Sequence, residues 1–238
     1  MKQKWIDLSL RNLTERKNDL EKYAEIIDQV HSVNVATDVA FQRKFTYFYK
    51  VRRDEEWRKT FFRLFEECKG MDDLTFEYIL RTIYEMTGRI EASFSSKMFA
   101  ALHTQMPIWD RIVLEKLRMK PGAYQDKEKR LKEAVDIYHQ IEYWYQGFLQ
   151  SESSRDFIEA FDTVFPEYRE FSDVKKIDFL IWAGGETGPL PQKVIKIDGC
   201  VEVPPTVTED ELMEKFIAFI EDNHWYFGGG IYEVKDEA

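Results

Sequence analysis

The sequence predicts a mainly α-helical protein that ends in a small α/β unit. Over most of the first 183 positions, apolar residues recur at intervals of three and four, which is the spacing of amphipathic helices. After a stretch rich in Gly and Pro, the pattern becomes an alternating segment, a helical segment and a second alternating segment. We therefore expect a helical domain over residues 1–183, a linker over 184–192 and a β-α-β unit over 193–238.

The first half of the helical domain has four candidate segments. They are separated by polar breaks or potential capping residues. The third ends before Gly70, and Gly88 follows the fourth, where a glycine often closes a helix in the left-handed conformation. The segments are, in order, an amphipathic run over 10–30, an aromatic-rich run over 41–51, and helices over 54–68 and 76–86.

The second half of the domain begins with two short helices joined by a bend at Pro107. Ser93 is expected to cap the first of them and Asp110 to cap the second, which Pro121 and Gly122 then end. Further helical patterns cover 126–150, 157–165 and 174–182.

Composition restricts the class of protein. A chain of 238 residues with 44% hydrophobic and 15% aromatic content can bury a substantial core. No apolar stretch reaches the length of a membrane span, and the charged N-terminus lacks the apolar run of a secretory signal, so we expect a cytoplasmic protein without a membrane partner. The two cysteines and four histidines are scattered, and we expect neither a metal nor another cofactor.

The net charge and the local charge of the chain give opposing indications about nucleic-acid binding. The net charge of -10 disfavours strong nonspecific binding to phosphate backbones. Between Phe41 and Arg63, however, eight basic residues stand against three acidic ones, a local charge of +5, interleaved with aromatic residues. This run favours nucleic-acid binding by phosphate neutralisation and base stacking. The alternative is a pair of amphipathic helices whose aromatics are core and whose basic residues pair with the surplus acids.

The segment 93–117, SFSSKMFAALHTQMPIWDRIVLEKL, carries the clearest chemical pattern. Lys97 and Asp110 stand thirteen residues apart, across a helix and a bend, and can converge on one pocket. Alternatively, Lys97 is an ordinary exposed helix lysine and Asp110 only an N-cap.

This segment, with the helix and the Gly88 turn before it, resembles the helix-hairpin-helix DNA glycosylases, particularly the 8-oxoguanine glycosylase branch. In that family a Gly-hydrophobic-Gly-Thr-Lys hairpin supplies a lysine nucleophile, and a Pro-x-Asp segment supplies an essential carboxylate. Ser93-Phe94-Ser95-Ser96-Lys97 and Pro107-Ile108-Trp109-Asp110 stand at these two places here, with serines where the family has glycines and one extra residue before the aspartate.

The resemblance implies a glycosylase-like fold over about 41–183 and a site for base excision. Lys97 would be the amine nucleophile and Asp110 the carboxylate that stabilises positive charge on the sugar. Aromatic residues would stack on the base, and serines and basic residues would contact DNA. The implied stacking and DNA-contacting residues are Phe94, Trp109, Arg43, Lys44, Lys50, Arg52, Arg53, Ser93, Ser95 and Ser96.

The C-terminal unit leads to an alternative function. Its helix followed by Phe227 and three glycines is similar to the end of the YggL-type family associated with the large ribosomal subunit. The glycines otherwise indicate a bulged edge strand. On this basis the alternative is a non-catalytic interaction protein on a glycosylase-like scaffold, binding a protein or ribosomal partner.

Overall fold

The computed structural model describes residues 2–184, 196, 197, 199–222 and 231. Within these residues the chain forms eleven α-helices, one 3-10 helix and no β-strand, so the predicted mainly helical class is confirmed. The chain divides into two compact units, Met1–Pro191 and Gln192–Ala238. None of the described helices combines the length and the apolar character that crossing a bilayer requires.

Ten α-helices lie in the first unit. They are α1 (Lys2–Glu15), α2 (Lys17–Val30), α3 (Val39–Phe48), α4 (Glu55–Cys68), α5 (Phe76–Thr87), α6 (Ala92–Leu102), α7 (Arg111–Leu117), α8 (Lys127–Leu149), α9 (Glu152–Val164) and α10 (Asp173–Ala183), with a 3-10 turn at Pro166–Tyr168.

Polar side chains at the helix starts set most of these boundaries. Each accepts a hydrogen bond from a backbone N–H of the first turn, which would otherwise lack a partner. At the other end of α5, Gly88 adopts the predicted left-handed conformation with φ of 69°. The side-chain caps are Asp38, Asp54, Thr75, Asp110, Asp126, Ser151 and Ser172.

Several expected helix boundaries differ from the structure. The run expected as one helix over 10–30 is divided at Arg16 between α1 and α2. The expected cap at Ser93 is wrong, because α6 already begins at Ala92 and Ser93 lies inside its first turn. The helix α7 ends at Leu117, earlier than the expected stop at Pro121, because Arg118 turns the chain in a left-handed conformation with φ of 58°.

Helix α10 lies at the centre of the first unit. It contacts α1, α7, α8 and α9, and all but two of its residues are buried. Helix α6 packs against α2 and α5, and nine of its eleven residues are buried. Polar groups on α6 and α10 are therefore held by packing on several sides, which fixes their positions within the core.

The second unit contains α11 (Glu209–Asp222), in agreement with the predicted C-terminal helix. Its start is a capping box: Thr208 Oγ accepts a hydrogen bond from the Glu211 N–H at 3.2 Å, and the Glu211 carboxylate accepts one from the Thr208 N–H at 3.0 Å.

The first strand predicted for this unit is not present at residues 196, 197 and 199–203, which have no regular structure. The side chains of Ile197 and Val201 are 66% and 72% exposed, so the alternating pattern buries no face there, and a strand without a buried face or a partner is not stable. The second predicted strand and the three glycines lie outside the described residues, apart from Ile231.

Candidate functional site

A cavity of about 290 Å³ opens within the first unit between segments that are distant in sequence. Aromatic residues are the largest group in its lining, and five charged groups lie among them, three amines and two carboxylates. The aromatic and aliphatic residues are Tyr23, Phe48, Tyr49, Phe94, Ile108, Val113, Phe179 and Trp182, and the five charged residues are Lys50, Lys97, Asp110, Lys175 and Asp178. Lys97 and Asp110 thus line one cavity.

Lys97 is a buried amine without a carboxylate partner among the described residues. It is 9% exposed, and its Nζ donates a hydrogen bond to Ser93 Oγ at 3.0 Å. Aromatic rings surround it, with Nζ 5.4 Å from the centroid of Phe94 and 5.9 Å from that of Tyr49. Burial lowers the pKa of the Lys97 amine below its ordinary value, and the charge of Asp110 offsets part of this effect.

Asp110 has two roles in the structure. Its Oδ1 accepts the N–H of Ile112 at 2.7 Å and caps α7, while the residue also lines the cavity. The cap fixes one carboxylate oxygen at the start of the helix and so orients the other. Asp110 is therefore an N-cap, as one alternative held, but Lys97 is not an exposed helix lysine.

Two hydrogen bonds attach the Pro107 bend to α6 and α8. Ser96 Oγ accepts the Trp109 N–H at 2.9 Å and donates to the carbonyl of Ser93 at 3.0 Å. The hydroxyl of Tyr138 on α8 donates to the Pro107 carbonyl at 2.9 Å. Ser96 lies directly before Lys97 on α6, and Trp109 lies directly before Asp110. The hydrogen bond between Ser96 and Trp109 therefore links the two chain segments that carry the amine and the carboxylate.

Not every sequence-predicted contact residue reaches the cavity. Phe94 and Ser93 line it, whereas Trp109, 8% exposed, is absent from its lining. Ser95 and Ser96 are both 0% exposed, and Ser95 Oγ donates to the carbonyl of Glu91 at 3.0 Å. In this conformation neither of these two serines is accessible to a phosphate.

The basic residues between Arg43 and Arg53 are only partly available. Arg53 forms a two-pronged pair with Glu91, with N–O distances of 2.7 and 3.0 Å, and Lys44 pairs with Glu25 at 2.7 Å. These pairs match the alternative that the basic residues neutralise acids of the same chain.

The remaining members of this basic group are on the surface. Arg43, Lys50 and Arg52 are exposed. Lys50 also lines the cavity and has a left-handed backbone with φ of 53°. Lys50 is therefore the member of this group that the structure places at the cavity.

Sequence reasoning did not identify Lys175 and Asp178 on α10. Lys175 Nζ donates to Asp178 Oδ2 at 2.7 Å, and the Tyr145 hydroxyl donates to Oδ1. Burial raises the pKa of the Asp178 carboxyl, and the Lys175 charge opposes that rise. The available signal was three charged residues, Lys175, Lys176 and Asp178, among the apolar residues 174–183, a pattern that requires pairing when the helix is buried on all sides.

Comparisons with protein-family models, curated proteins and solved structures find no match to this chain. The resemblance to the glycosylases therefore stays a prediction, and a functional argument depends on the cavity itself.

Proposed function

We propose that this protein excises a base from DNA, with Lys97 as the amine nucleophile and Asp110 as the assisting carboxylate. One observation carries the proposal: a buried amine that has no carboxylate partner in the described part of the chain lines the same aromatic-rich cavity as a separate carboxylate. A lowered pKa increases the fraction of neutral amine, which is the nucleophilic form. Aromatic walls suit a base that has left the stack.

The chemistry assigns each group one task. Breaking the bond between the sugar and the base creates positive charge on the sugar, which the Asp110 carboxylate stabilises. The neutral Lys97 nitrogen forms a bond to C1′ of the sugar as the bond to the base breaks, and the base leaves with the electron pair of that bond and takes up the proton that the Lys97 nitrogen releases. The bond between C1′ and the ring oxygen then breaks, the ring oxygen takes up a proton from water, and C1′ and Lys97 form a Schiff base.

Borohydride trapping tests the proposal. The protein is incubated with duplexes that contain 8-oxoguanine, uracil or an abasic site, and borohydride reduces any Schiff base to a stable adduct. We expect an adduct that maps to Lys97 and is lost in Lys97→Gln. Lys132→Gln, which changes an exposed lysine on α8, should trap normally and serves as the control. The absence of adducts with all three duplexes would exclude lyase chemistry.

The alternative is a non-catalytic interaction protein. The net charge of -10 and the internal pairing of Arg53 and Lys44 favour it, because both reduce the positive charge that DNA could contact. It predicts neither adducts nor base release, together with no binding to undamaged duplex at low salt. A binding titration at about 50 mM salt, where phosphate contacts are strong, distinguishes the two proposals.

A further inference from the structure

The Ser93 hydroxyl lines the cavity and has no task in the proposed excision chemistry. Ser93 lies in the first turn of α6, and Lys97 follows one turn later. Residues four apart in an α-helix lie one above the other on the same face. The Ser93 Oγ and the Lys97 Nζ are accordingly 3.0 Å apart, and both residues line the cavity. A hydroxyl and an amine are thus in hydrogen-bond contact at the cavity wall.

Lys97 has the properties of a general base for that hydroxyl. A lysine accepts a proton only as the neutral amine, and burial favours this form because it lowers the pKa of Lys97. The positive charge of Lys50, which also lines the cavity, lowers that pKa further. General-base catalysis requires the base within hydrogen-bond reach of the proton that it removes, and the distance of 3.0 Å meets this requirement.

Two charged groups complement the pair. The Asp110 carboxylate acts electrostatically on Lys97 and favours the ammonium form, which is the form that exists once the proton has been transferred. The Lys50 amine supplies a positive charge in the lining of the same cavity. A cation near a reacting carbonyl stabilises the negative oxygen that forms during acyl transfer. The cavity therefore contains the groups that acyl transfer to a serine requires.

We propose that Ser93 and Lys97 form a catalytic dyad that hydrolyses a small aromatic ester, with Lys50 as the cation at the negative oxygen. The substrate class follows from the cavity, because a volume of about 290 Å³ admits one small molecule and the aromatic side chains in the lining suit a flat ring. This activity uses no nucleic acid and does not rest on the proposed base excision.

The reaction has two stages. The Ser93 oxygen bonds to the ester carbonyl carbon while its proton passes to Lys97, and the π electron pair of the carbonyl moves onto the carbonyl oxygen. The carbonyl then re-forms, and the alcohol oxygen leaves with the electron pair of its bond to carbon and takes the proton from Lys97. In the second stage a water molecule bonds to the carbonyl carbon and gives a proton to Lys97. The Ser93 oxygen leaves with its electron pair and takes that proton, which releases the acid.

Phenylmethanesulfonyl fluoride tests which atom is the nucleophile. This reagent is a small aromatic molecule that forms a stable bond to an activated serine oxygen as fluoride leaves. The native full-length chain is treated without DNA, and mass spectrometry locates the adduct, so the result does not depend on the folding of a variant. We expect the adduct on Ser93. An adduct on Lys97 in place of Ser93, or no adduct on either residue, overturns the dyad.

Hydrolysis of para-nitrophenyl acetate measures the contribution of each member of the dyad. Ser93→Ala and Lys97→Met should each reduce the rate about 100-fold, because one variant lacks the nucleophile and the other lacks the base. Ser95→Ala is the matched control, since the Ser95 hydroxyl donates to the Glu91 carbonyl and Ser95 is not part of the cavity lining. It should hydrolyse the ester at the native rate. Equal rates in Ser93→Ala and Ser95→Ala contradict the assignment.

Lys50→Gln tests the cation. We expect kcat for the ester to fall about tenfold with KM nearly unchanged, because the lost charge acts on the negative oxygen of the transition state and not on the neutral ester. An unchanged kcat removes Lys50 from the mechanism.

The ester and the abasic duplex separate this inference from the proposed function. If the sulfonyl adduct forms on Ser93 but no borohydride adduct forms on any duplex, the dyad stands and base excision is wrong. If Lys97 traps on an abasic duplex but Ser93 is not labelled, base excision stands and the dyad is wrong.

Discussion

At the scale of single residues, the cavity is built from groups that are unfavourable for stability. Lys97 is buried with a serine hydroxyl as its hydrogen-bond acceptor, and the Tyr49 hydroxyl has no partner among the described residues. Desolvating an amine or a hydroxyl costs free energy that neither interaction fully restores. Such groups are typical of sites at which a ligand completes the interactions.

Lys97→Met tests this cost. We expect the free energy of unfolding to rise by about 1–2 kcal/mol, because an apolar side chain of similar length replaces a desolvated amine. Chemical denaturation monitored by circular dichroism measures the change. Lys132→Met on the exposed face of α8 is the control and should leave the free energy of unfolding nearly unchanged. A Lys97→Met protein less stable than the native one would contradict the expectation.

The same amine predicts a pH dependence. Its pKa is lowered in the folded state, so between that lowered value and the ordinary 10.5 the unfolded chain binds a proton that the folded chain does not. Stability from this group therefore increases as pH rises through that window. We expect the stability advantage of Lys97→Met to shrink between pH 7 and pH 10. Denaturation curves of both proteins at several pH values measure it, and a constant difference would argue against a lowered pKa.

At the scale of secondary-structure elements, the site depends on how α6 is fixed to its neighbours. The Ser96 hydroxyl accepts the N–H of Trp109, and Arg53 holds Glu91, the residue immediately before α6. One interaction sets the distance from α6 to the Pro107 bend, and the other fixes the start of the helix. The relative position of Lys97 and Asp110 thus depends on contacts that neither residue makes.

Ser96→Ala tests the first contact. It leaves the buried Trp109 N–H without its acceptor, and we expect a loss of about 1–3 kcal/mol of stability together with slower trapping on an abasic duplex. Ser95→Ala is the matched control, since Ser95 is equally buried but its hydroxyl bonds only within its own turn of chain. Ser95→Ala should form the trapped adduct at the native rate. Equally slow trapping in Ser95→Ala and Ser96→Ala would contradict a positioning role for Ser96.

A double-mutant cycle tests the second contact. Arg53→Ala leaves the Glu91 carboxylate, which is 8% exposed, without its partner, and should cost about 2–3 kcal/mol. In the double variant Arg53→Ala with Glu91→Gln, much of that loss should be recovered. The exposed pair of Lys59 and Glu55 provides the comparison cycle and should show a much weaker coupling, because solvent screens both charges. Similar coupling in both cycles would contradict this account.

Much of the helical pattern could be predicted because it depends on local signals. Asp110 and Gly88 act through neighbouring backbone groups, so sequence alone located the start of α7 and the end of α5. Lys175 and Asp178 were missed because their pairing becomes necessary only when several helices surround α10. The alternating residues near Ile197 predicted a strand, but alternation produces a strand only when one face is buried.

At the scale of the whole molecule, every residue that lines the cavity belongs to the unit Met1–Pro191. We therefore expect a chain shortened to residues 1–191 to unfold cooperatively and to trap on an abasic duplex at the rate of the full chain. Thermal unfolding and borohydride trapping measure the two properties. A shortened chain that folds but no longer traps would show that residues 192–238 contribute to the activity.

Lys50 combines an unfavourable left-handed backbone with a positive charge in the lining of the cavity. Lys50 follows the cap of α3, the position at which glycine is most often found, and a lysine there is less stable by about 1 kcal/mol. Lys50→Gly should therefore increase the stability of the fold while it removes a positive charge from the wall of the cavity. A glycine at this one position thus changes the charge of the cavity without a loss of stability that would obscure the effect.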